Sequence, residues 1–139
     1  MPTAPDNVLL NKAGIIERSV RRMKEEYDAD PSFSNYTHLD AMILNIERAC
    51  QAAIDMAMHL AAVEHLGIPQ NSAEAFLFLE KAGRISSSLA KGLVGMTGFR
   101  NIAVHQYQSL DLDILRAVAT REYRVLIDLC TALGVKISP

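Results

Sequence analysis

Residues 37–60 read THLDAMILNIERACQAAIDMAMHL, and their apolar positions recur in steps of three and four. In an α-helix of 3.6 residues per turn, this spacing lines the apolar side chains along one face. Thr37 and Asp40 have the spacing of a capping pair that begins a helix. The run Leu66-Gly67-Ile68-Pro69 ends it, because glycine suits the left-handed cap and proline cannot continue a helix. A long amphipathic helix is predicted, with its inward positions at Leu39, Ile43, Ile46, Cys50, Ala53, Ala57 and Leu60.

Four more helices are predicted from the same periodicity, each bounded by capping residues or turn formers. Their approximate ranges are Leu9 to Tyr27, Asn71 to Gly83, Ser86 into the 98–107 segment, and Asp111 or Asp113 to Gly134. The sequence has no strand pattern and no internal repeat. It predicts an all-α fold, an antiparallel bundle of about five helices. The bundle forms a single domain over residues 1–139, with flexible ends at 1–7 and 135–139.

The composition restricts the function classes. Hydrophobic residues make up 50% of the chain and the mean hydropathy is +0.10, which excludes a disordered chain and leaves apolar surface for a partner. The net charge of −2 provides no general attraction for nucleic acid, so RNA contacts require local basic groups or a groove between two subunits. Residues 1–7 have no signal-peptide features, and the apolar run at 52–63 is too short to span a bilayer. We expect a cytoplasmic protein without membrane contact.

The cysteines and histidines do not predict a metal site. Cys50 and Cys130 fall in apolar stripes of different helices, which is typical of buried free thiols in a reducing compartment. His59 and His65 point to opposite sides of one helix and His38 lies at its start, so no ligand set converges. We expect no metal and no cofactor.

The segment GFRNIAVHQY, residues 98–107, places a cation, an amide, an imidazole and a phenol in otherwise apolar helical sequence. These groups belong to Arg100, Asn101, His105 and Tyr107. They are costly to place beside a core unless they have partners or a task. This segment is therefore where the chemistry of the chain is expected.

Helix geometry limits how these side chains can meet. At about 100° per residue, Arg100 and Tyr107 lie on one stripe, two turns apart. Asn101 and His105 are neighbours on another. Arg100 and His105 differ by about 140°, so they share a site only if the helix ends or bends near His105, or if a second subunit contributes. The residues after the motif resemble a helix exit, and a twofold dimer would double the set.

These groups suit the cleavage of a phosphodiester. His105 can transfer a proton near neutral pH, and Arg100 can bind phosphate oxygens and stabilise charge at phosphorus. Asn101 could orient His105 or the scissile phosphate, while RNA would supply its own 2′-hydroxyl as nucleophile. The alternative is an arginine and a histidine satisfied at a helix end, with Tyr107 as a half-buried packing residue. The residues by themselves leave both interpretations open.

Residues 100–107, RNIAVHQY, resemble the Arg-x4-His-x-Tyr motif of HEPN-domain ribonuclease toxins, and the HepT group in particular. The likeness extends over roughly Val8 to Leu133 and includes the helix stop at residues 66–69. An Arg-x4-His pair would be a weak signal by itself. Together with Asn101, Tyr107 and a five-helix layout of this length, the match is specific.

The resemblance implies a homodimer in which the motifs of both subunits face a shared cleft. It implies a metal-independent endoribonuclease with Arg100 and His105 catalytic, and we place Asn101 with them. It also implies a partner, a nucleotidyltransferase antitoxin of the MntA type, which silences the toxin by transferring AMP to Tyr107. A bulky anion there would occupy a cleft meant for RNA phosphate. The second function kept open is a non-catalytic helical dimer that binds nucleotide or a nucleotidyltransferase.

Asp55 and His59 are four residues apart on the second helix, amid apolar neighbours. They could form a hydrogen-bonded pair that supports the cleft, or a satisfied pair inside the bundle or a dimer interface. A basic face on the first helix could follow RNA phosphates or an acidic partner, and ordinary ion pairs on a solvated face are the alternative. That face consists of Arg18, Arg21, Arg22 and Lys24.

Three glycines precede the motif at steps of three: Gly92, Gly95 and Gly98. Glycine weakens a helix by about 1 kcal/mol relative to alanine. Their spacing predicts the close approach of another helix, a subunit or an RNA backbone. An irregular helix start is the alternative.

Overall fold

The computed structural model of the chain describes residues 4–105 and 110–139, with Val104 and His105 described by their backbone only. The described residues form helices and connecting loops without a strand, which confirms the all-α prediction. The elements are α1 (Asn7–Ala29), α2 (Tyr36–Val63), α3 (Ser72–Lys81), α4 (Ser87–His105), α5 (Leu112–Ala117), a π-helical turn (Val118–Glu122) and α6 (Arg124–Ala132).

The α1–α2 hairpin has the most extensive helix–helix contact of the described structure. The two helices run antiparallel, since Glu26 near the end of α1 contacts His38 at the start of α2, and Asp6 before α1 contacts His59 near the end of α2. Helices α3, α4 and α6 also pack on α2, which makes it the central helix of the bundle. The fully buried side chains between α1 and α2 include Ile16, Met23, Met42, Ile46 and Met56.

The start of α2 differs from the prediction that Thr37 caps it. Asn35 is the cap, because its side-chain oxygen accepts hydrogen bonds from the N–H groups of Thr37 at 2.9 Å and His38 at 3.3 Å. The Asp30 carboxylate in turn accepts the Asn35 N–H at 2.6 Å and lies in the preceding loop. The helix therefore begins two residues earlier, inside the expected loop. The caps predicted for the later helices are confirmed at Asn71, Ser86 and Asp111.

The predicted stop after α2 is present, but the left-handed residue at the cap itself is His65, with φ of 55°, while Gly67 has a positive φ of 128° two residues later. The Leu66 N–H donates to the Ala61 carbonyl at 2.9 Å, which is the bond that closes this type of helix end. Gly67 has a different purpose, because a Cβ there would lie 2.9 Å from the Phe78 ring. The predicted glycine ends of α3 and α6 are confirmed, with positive φ at Gly83 and Gly134.

The last predicted helix is divided by the π-helical turn at Val118–Glu122. There the Tyr123 N–H donates to the Val118 carbonyl five residues before it, so the turn holds one residue more than an α-helical turn. Thr120 assists, since its hydroxyl donates to the Arg116 carbonyl at 2.7 Å. The inward positions predicted for this segment are confirmed as buried at Leu115, Val118, Leu126, Leu129 and Leu133.

The C-terminal residues 135–139 contact the bundle, and their flexibility stays a prediction. Ile137 is buried, and the Ser138 N–H donates to the Glu17 carboxylate at 2.8 Å. Near the other end of the chain, Pro5 packs against Gly134, where a Cβ would lie 3.1 Å from the proline ring. Both ends of the described chain therefore lie against the bundle.

The cysteines are buried and unpaired, as predicted. Burial raises the thiol pKa of Cys50 and that of Cys130 to about 12. Neither thiol is an available nucleophile in the folded chain.

Candidate active site

Helix α4 carries the candidate site near its C-terminal end. The Ser86 hydroxyl begins this helix by accepting the Leu89 N–H at 3.1 Å. Packing on α2, α3 and α6 then fixes the orientation of α4. Its buried side includes Ala90, Leu93, Met96, Phe99 and Ala103. Arg100 and Asn101 lie between buried positions of the same helix, so the packing of α4 on the core fixes the positions of their backbone atoms.

The Arg100 side chain is only partly satisfied. Its Nη1–H donates to the side-chain oxygen Oδ1 of Asn101, at a distance of 3.3 Å. Its Nε–H is buried and has no acceptor among the described residues. A buried donor without an acceptor costs roughly 1–3 kcal/mol, and more when the group is charged. Arg100 therefore presents a charged donor that an anionic oxygen could satisfy.

Arg100 interacts electrostatically with the Cys50 thiol of α2. Burial is the main cause that raises the Cys50 pKa to about 12, and the positive charge of Arg100 acts in the opposite direction. The neighbouring Asn101 is exposed. The pair thus joins a half-buried cation to a solvent-facing amide.

His105 is the last described residue of α4, and its side chain is outside the description. Tyr107 and the whole of 106–109 lie outside the described residues. The expected convergence of His105 with Arg100, and the position of Tyr107, stay predictions.

The interpretation of Asp55 and His59 as a mutual pair is wrong. His59 Nε2 lies 2.6 Å from Asp6, the residue that caps α1. Asp55 instead pairs with the Lys12 ammonium at 3.1 Å and accepts the Gln51 amide at 2.9 Å. Both side chains point to α1, and no described contact joins either of them to Arg100. Their contacts with Asp6 and Lys12 join α2 to α1 and stabilise the hairpin.

The contact with His59 has an electrostatic consequence for Asp6. The hydrogen bond from His59 is the largest cause that lowers the pKa of this carboxyl, followed by the bond from the Leu9 N–H. Asp6 is therefore stabilised as a carboxylate by the two helices that it connects.

The basic face of α1 is mostly engaged within the chain. Arg22 pairs with Glu25 and Glu26, both at 2.7 Å. The Lys24 ammonium lies 5.6 Å from the centre of the Tyr123 ring. Arg21 is 4.0 Å from Glu17, which leaves Arg18 and Lys24 as the members of this face without an ion pair to a described residue. The ion-pair interpretation of this face is supported by these contacts.

The three glycines of α4 separate into two kinds. At Gly92 an added Cβ would lie 2.7 Å from the Val125 side chain, so the predicted close approach of a helix is confirmed there. At Gly95 and Gly98 an added Cβ would meet no atom of the described residues within 4 Å. These two glycines face an open groove.

We name this feature the α4–α5 groove, since it runs between α4 and the segment that begins with α5. The section near Arg100 has a volume of about 470 Å³ and is lined by Gly95, Gly98, Phe99, Ile102, Leu110, Asp111 and Ile114. Sequence reasoning did not find it. The glycine spacing was a signal, but it could not indicate which glycines are covered within the chain.

Among the described residues, no group of three or more His, Cys, Asp or Glu side chains is arranged to hold a metal ion. None of the helices in the same ranges is both long and apolar enough to cross a membrane.

Sequence comparison places this site in context. Residues 13–133 match the family of HepT-like ribonucleases. The chain is also similar to the mRNA nuclease HepT of Shewanella oneidensis, with 40% identity over 111 residues. The matched region covers 79% of this chain and 84% of that protein.

Solved structures with the same fold include a tri-AMPylated HEPN toxin of Shewanella oneidensis in complex with an MNT antitoxin. The TM-score is 0.87 at 35% identity, over 93% of this chain and 98% of that chain. A toxin–antitoxin structure with AMP-PNP gives a TM-score of 0.89 at 34% identity, over 94% and 100% of the two chains.

Proposed function

The chain belongs to the family of HepT-like ribonucleases, and on that premise we propose that it is the toxin of a toxin–antitoxin pair. Its activity is the metal-independent endonucleolytic cleavage of RNA in the cytoplasm. A nucleotidyltransferase antitoxin neutralises it.

The observation that carries this proposal is the unsatisfied guanidinium of Arg100. Its buried Nε–H has no acceptor among the described residues, and Asn101 binds one of its other donors. A planar guanidinium with a free donor fits the geometry of a phosphate oxygen. In a family of ribonucleases, the scissile phosphate of RNA is the ligand that would complete it.

In the proposed mechanism, the 2′-hydroxyl of RNA attacks the adjacent phosphorus while the bond from phosphorus to the 5′-oxygen breaks. His105 takes the proton of the 2′-hydroxyl or supplies one to the leaving 5′-oxygen. Arg100 stabilises the charge that develops on the phosphoryl oxygens. The hydrogen bond from Arg100 to Asn101 supports a role for Asn101 in orienting the guanidinium. No step needs a metal ion, because the charge at phosphorus is neutralised by a side chain.

Regulation by a partner follows from the relatives. One similar structure is a tri-AMPylated toxin in complex with an MNT antitoxin. We extend this to the present chain and assign Tyr107 as the acceptor of AMP from an MntA-type antitoxin. We further propose that the chain acts as a homodimer, since the 140° between Arg100 and His105 on a straight helix favours a site completed by two subunits.

The second candidate is a non-catalytic helical dimer that binds nucleotide or a nucleotidyltransferase. One observation favours it, because Arg21, Arg22 and Lys24 are engaged within the chain and leave little free positive charge on the α1 face for RNA. The orphaned donor of Arg100 would then hold a phosphate without cleaving its ester.

RNA cleavage by the purified chain in EDTA separates the two candidates. We expect the wild-type protein to cleave and His105→Ala to lose nearly all activity, because the proton transfer is lost. Leu77→Ala, at an exposed position of α3, is the matched control and should cleave as wild type does. Equal cleavage by His105→Ala would refute the mechanism. Mass spectrometry after co-expression with the antitoxin should find AMP on Tyr107 and none on Tyr107→Phe.

A further inference from the structure

Helix α5 is short and depends on the rest of the bundle for its position. It has six residues, Leu112–Ala117, and its buried side chain is that of Leu115. A helix of this length is not stable by itself, so tertiary contacts determine where it lies. The neighbouring residue, Arg116, supplies further contacts, although it is exposed.

The Arg116 guanidinium lies against the end of α1 and the loop that follows it. Its Nη1–H groups donate to the Pro31 carbonyl at 2.6 Å and to the Tyr27 hydroxyl at 3.2 Å. Its central carbon lies 4.6 Å from the centre of the Phe33 ring, which is the geometry of a cation–π contact. The Tyr27 and Phe33 rings meet edge to face, with their centres 5.9 Å apart. We name these three partners, Tyr27, Pro31 and Phe33, the Arg116 cradle.

The backbone of Phe33 adopts an unusual conformation in this cradle. Its φ is 58°, in the left-handed region that a bulky side chain rarely occupies. Such a conformation persists only where the surrounding contacts hold it. The Phe33 side chain is buried, and its ring face is the one that Arg116 contacts. The contact with α5 is therefore one of those that hold the loop in this conformation.

The π-helical turn after α5 sets the direction in which Arg116 points. One extra residue in a turn rotates the side chains before it by about 100° relative to those after it. Inside this turn, the Thr120 hydroxyl donates to the Arg116 carbonyl at 2.7 Å. Helix α6 therefore packs on the bundle in one register, while Arg116 reaches Pro31 in another. Turns of this kind are frequent at functional sites.

Helix α5 lies opposite the part of α4 that carries the candidate site. Ile114 of α5 lines the α4–α5 groove together with Phe99 and Ile102 of α4. These two α4 residues flank Arg100 and Asn101 in the sequence. The position of α5 therefore sets the shape of the groove next to the motif.

The covalent chain joins α5 to the other motif residues. Helix α4 ends at His105 and the described chain resumes at residue 110, so four residues connect the two. Each residue spans at most about 3.6 Å. The position of α5 therefore limits where Tyr107 can lie and in which direction the chain leaves His105.

We propose that Arg116 is a positioning residue for RNA cleavage. By binding its cradle it fixes α5, and α5 fixes the far end of the segment that follows His105. Arg116 does not contact RNA in this role. The inference rests on the proposed ribonuclease function and adds a residue outside the motif, together with a purpose for the loop between α1 and α2.

Steady-state cleavage of a labelled messenger RNA tests the role. Arg116→Ala should lower kcat by roughly 10- to 100-fold, because a small displacement of reacting groups has effects of this size. Its KM should change by less than about 3-fold, since no RNA contact is removed. Arg116→Lys keeps a cation and a donor for the cradle and should recover part of the kcat. Arg124→Ala removes the same charge from an exposed position of α6 and should retain the wild-type kcat and KM.

A double-mutant cycle tests whether Arg116 acts through its cradle. Phe33→Leu keeps an apolar side chain in the core but removes the ring face, so it should also lower kcat. Combined with Arg116→Ala, it should lower kcat no further than Arg116→Ala does alone, because the two residues act as one unit. Effects that multiply instead would show independent roles and overturn the proposal.

Hydrogen exchange followed by NMR measures the position of α5 independently of RNA cleavage. The amides of Leu115 and Val118 donate to carbonyls of α5 and its cap. In Arg116→Ala they should exchange at least about 10-fold faster than in the wild-type protein, whereas the amides of residues 42–57 in α2 should be unchanged. Unchanged exchange at both α5 amides would overturn the proposal.

The outcomes separate this inference from the proposed nuclease. A wild-type protein that does not cleave RNA overturns the nuclease and the positioning role together. Wild-type cleavage with an equally active Arg116→Ala variant overturns the positioning role alone. A raised KM at constant kcat, restored by Arg116→Lys, would show a direct contact with RNA phosphate and would also overturn it.

Discussion

The start of the α1–α2 hairpin and the end of α4 both place charged side chains against apolar helix faces, with opposite results. In the hairpin, Asp6 meets His59 and Lys12 meets Asp55, so each charge has a partner. On α4, the buried Nε–H of Arg100 has no acceptor among the residues that the structure describes. A network in which every polar group has a partner stabilises the fold. A buried polar group without a described partner is a candidate for binding a ligand. The comparison explains why the polar residues of the hairpin and Arg100 are assigned two different roles.

The largest effect is expected when a substitution at the end of α4 is compared with one in the hairpin. Arg100→Ala should lower RNA cleavage by about 10²–10³-fold, because the charge at phosphorus loses its stabilising group. Its melting temperature should not fall, since a buried donor without an acceptor is removed. His59→Ala should behave in the opposite way, with a melting temperature lower by a few degrees and unchanged cleavage. Calorimetry and an RNase assay on both variants measure this, and the reverse pattern would contradict the comparison.

A smaller effect is expected from titrating the hairpin network. The pKa of Asp6 is lowered in the folded state, mainly by the hydrogen bond from His59. Its contribution to stability is therefore present above the unfolded carboxyl pKa of about 4 and is lost as the pH falls through the folded value. Asp6→Asn should be less stable than wild type near neutral pH, and the difference should close in acid.

Urea unfolding at a series of pH values measures that difference. Asp128→Asn, at an exposed carboxylate on α6, is the control and should show a difference that does not depend on the network. A gap between Asp6→Asn and wild type that widens in acid would show that the sign of the linkage is wrong.

The smallest effect concerns the reactivity of the Cys50 thiol. Because burial raises the pKa of Cys50 and that of Cys130 to about 12, neither should react with iodoacetamide at neutral pH until the chain unfolds. Arg100→Ala should leave Cys50 equally slow, since burial and not the guanidinium dominates its pKa. Leu77→Cys provides an exposed thiol as a positive control. Rapid labelling of Cys50 in the folded chain would mean that the α2–α4 junction is open.

The sequence predicted helices well because helix formation depends on neighbours within a few residues. The apolar periodicity of residues 39–60 and the glycine ends at Gly83 and Gly134 are local signals, and both were confirmed. The two wrong predictions were also local, because a nearby residue took the expected position. Asn35 took the cap expected of Thr37, and His65 adopted the left-handed conformation expected of Gly67. In each case an adjacent residue could perform the same task.

The candidate site was predictable only as a set of residues. Arg100, Asn101 and the motif around them are evident in the sequence. Whether the buried Nε–H of Arg100 finds an acceptor among the described residues depends on how the other helices pack around α4. The partner of His59 is 53 residues away, at the other end of the hairpin. No local pattern contains that information.

The sequence by itself determined the helical class, the positions of most helix ends and the family motif, since each follows from spacing along one chain. The tertiary structure decided which polar groups are satisfied and which glycines are covered. Gly92 meets Val125 while Gly95 and Gly98 meet no atom of the described residues, although all three look alike in the sequence. The physical reason is that hydrogen bonds and close contacts between helices depend on their relative placement, which the periodicity of a single helix does not specify.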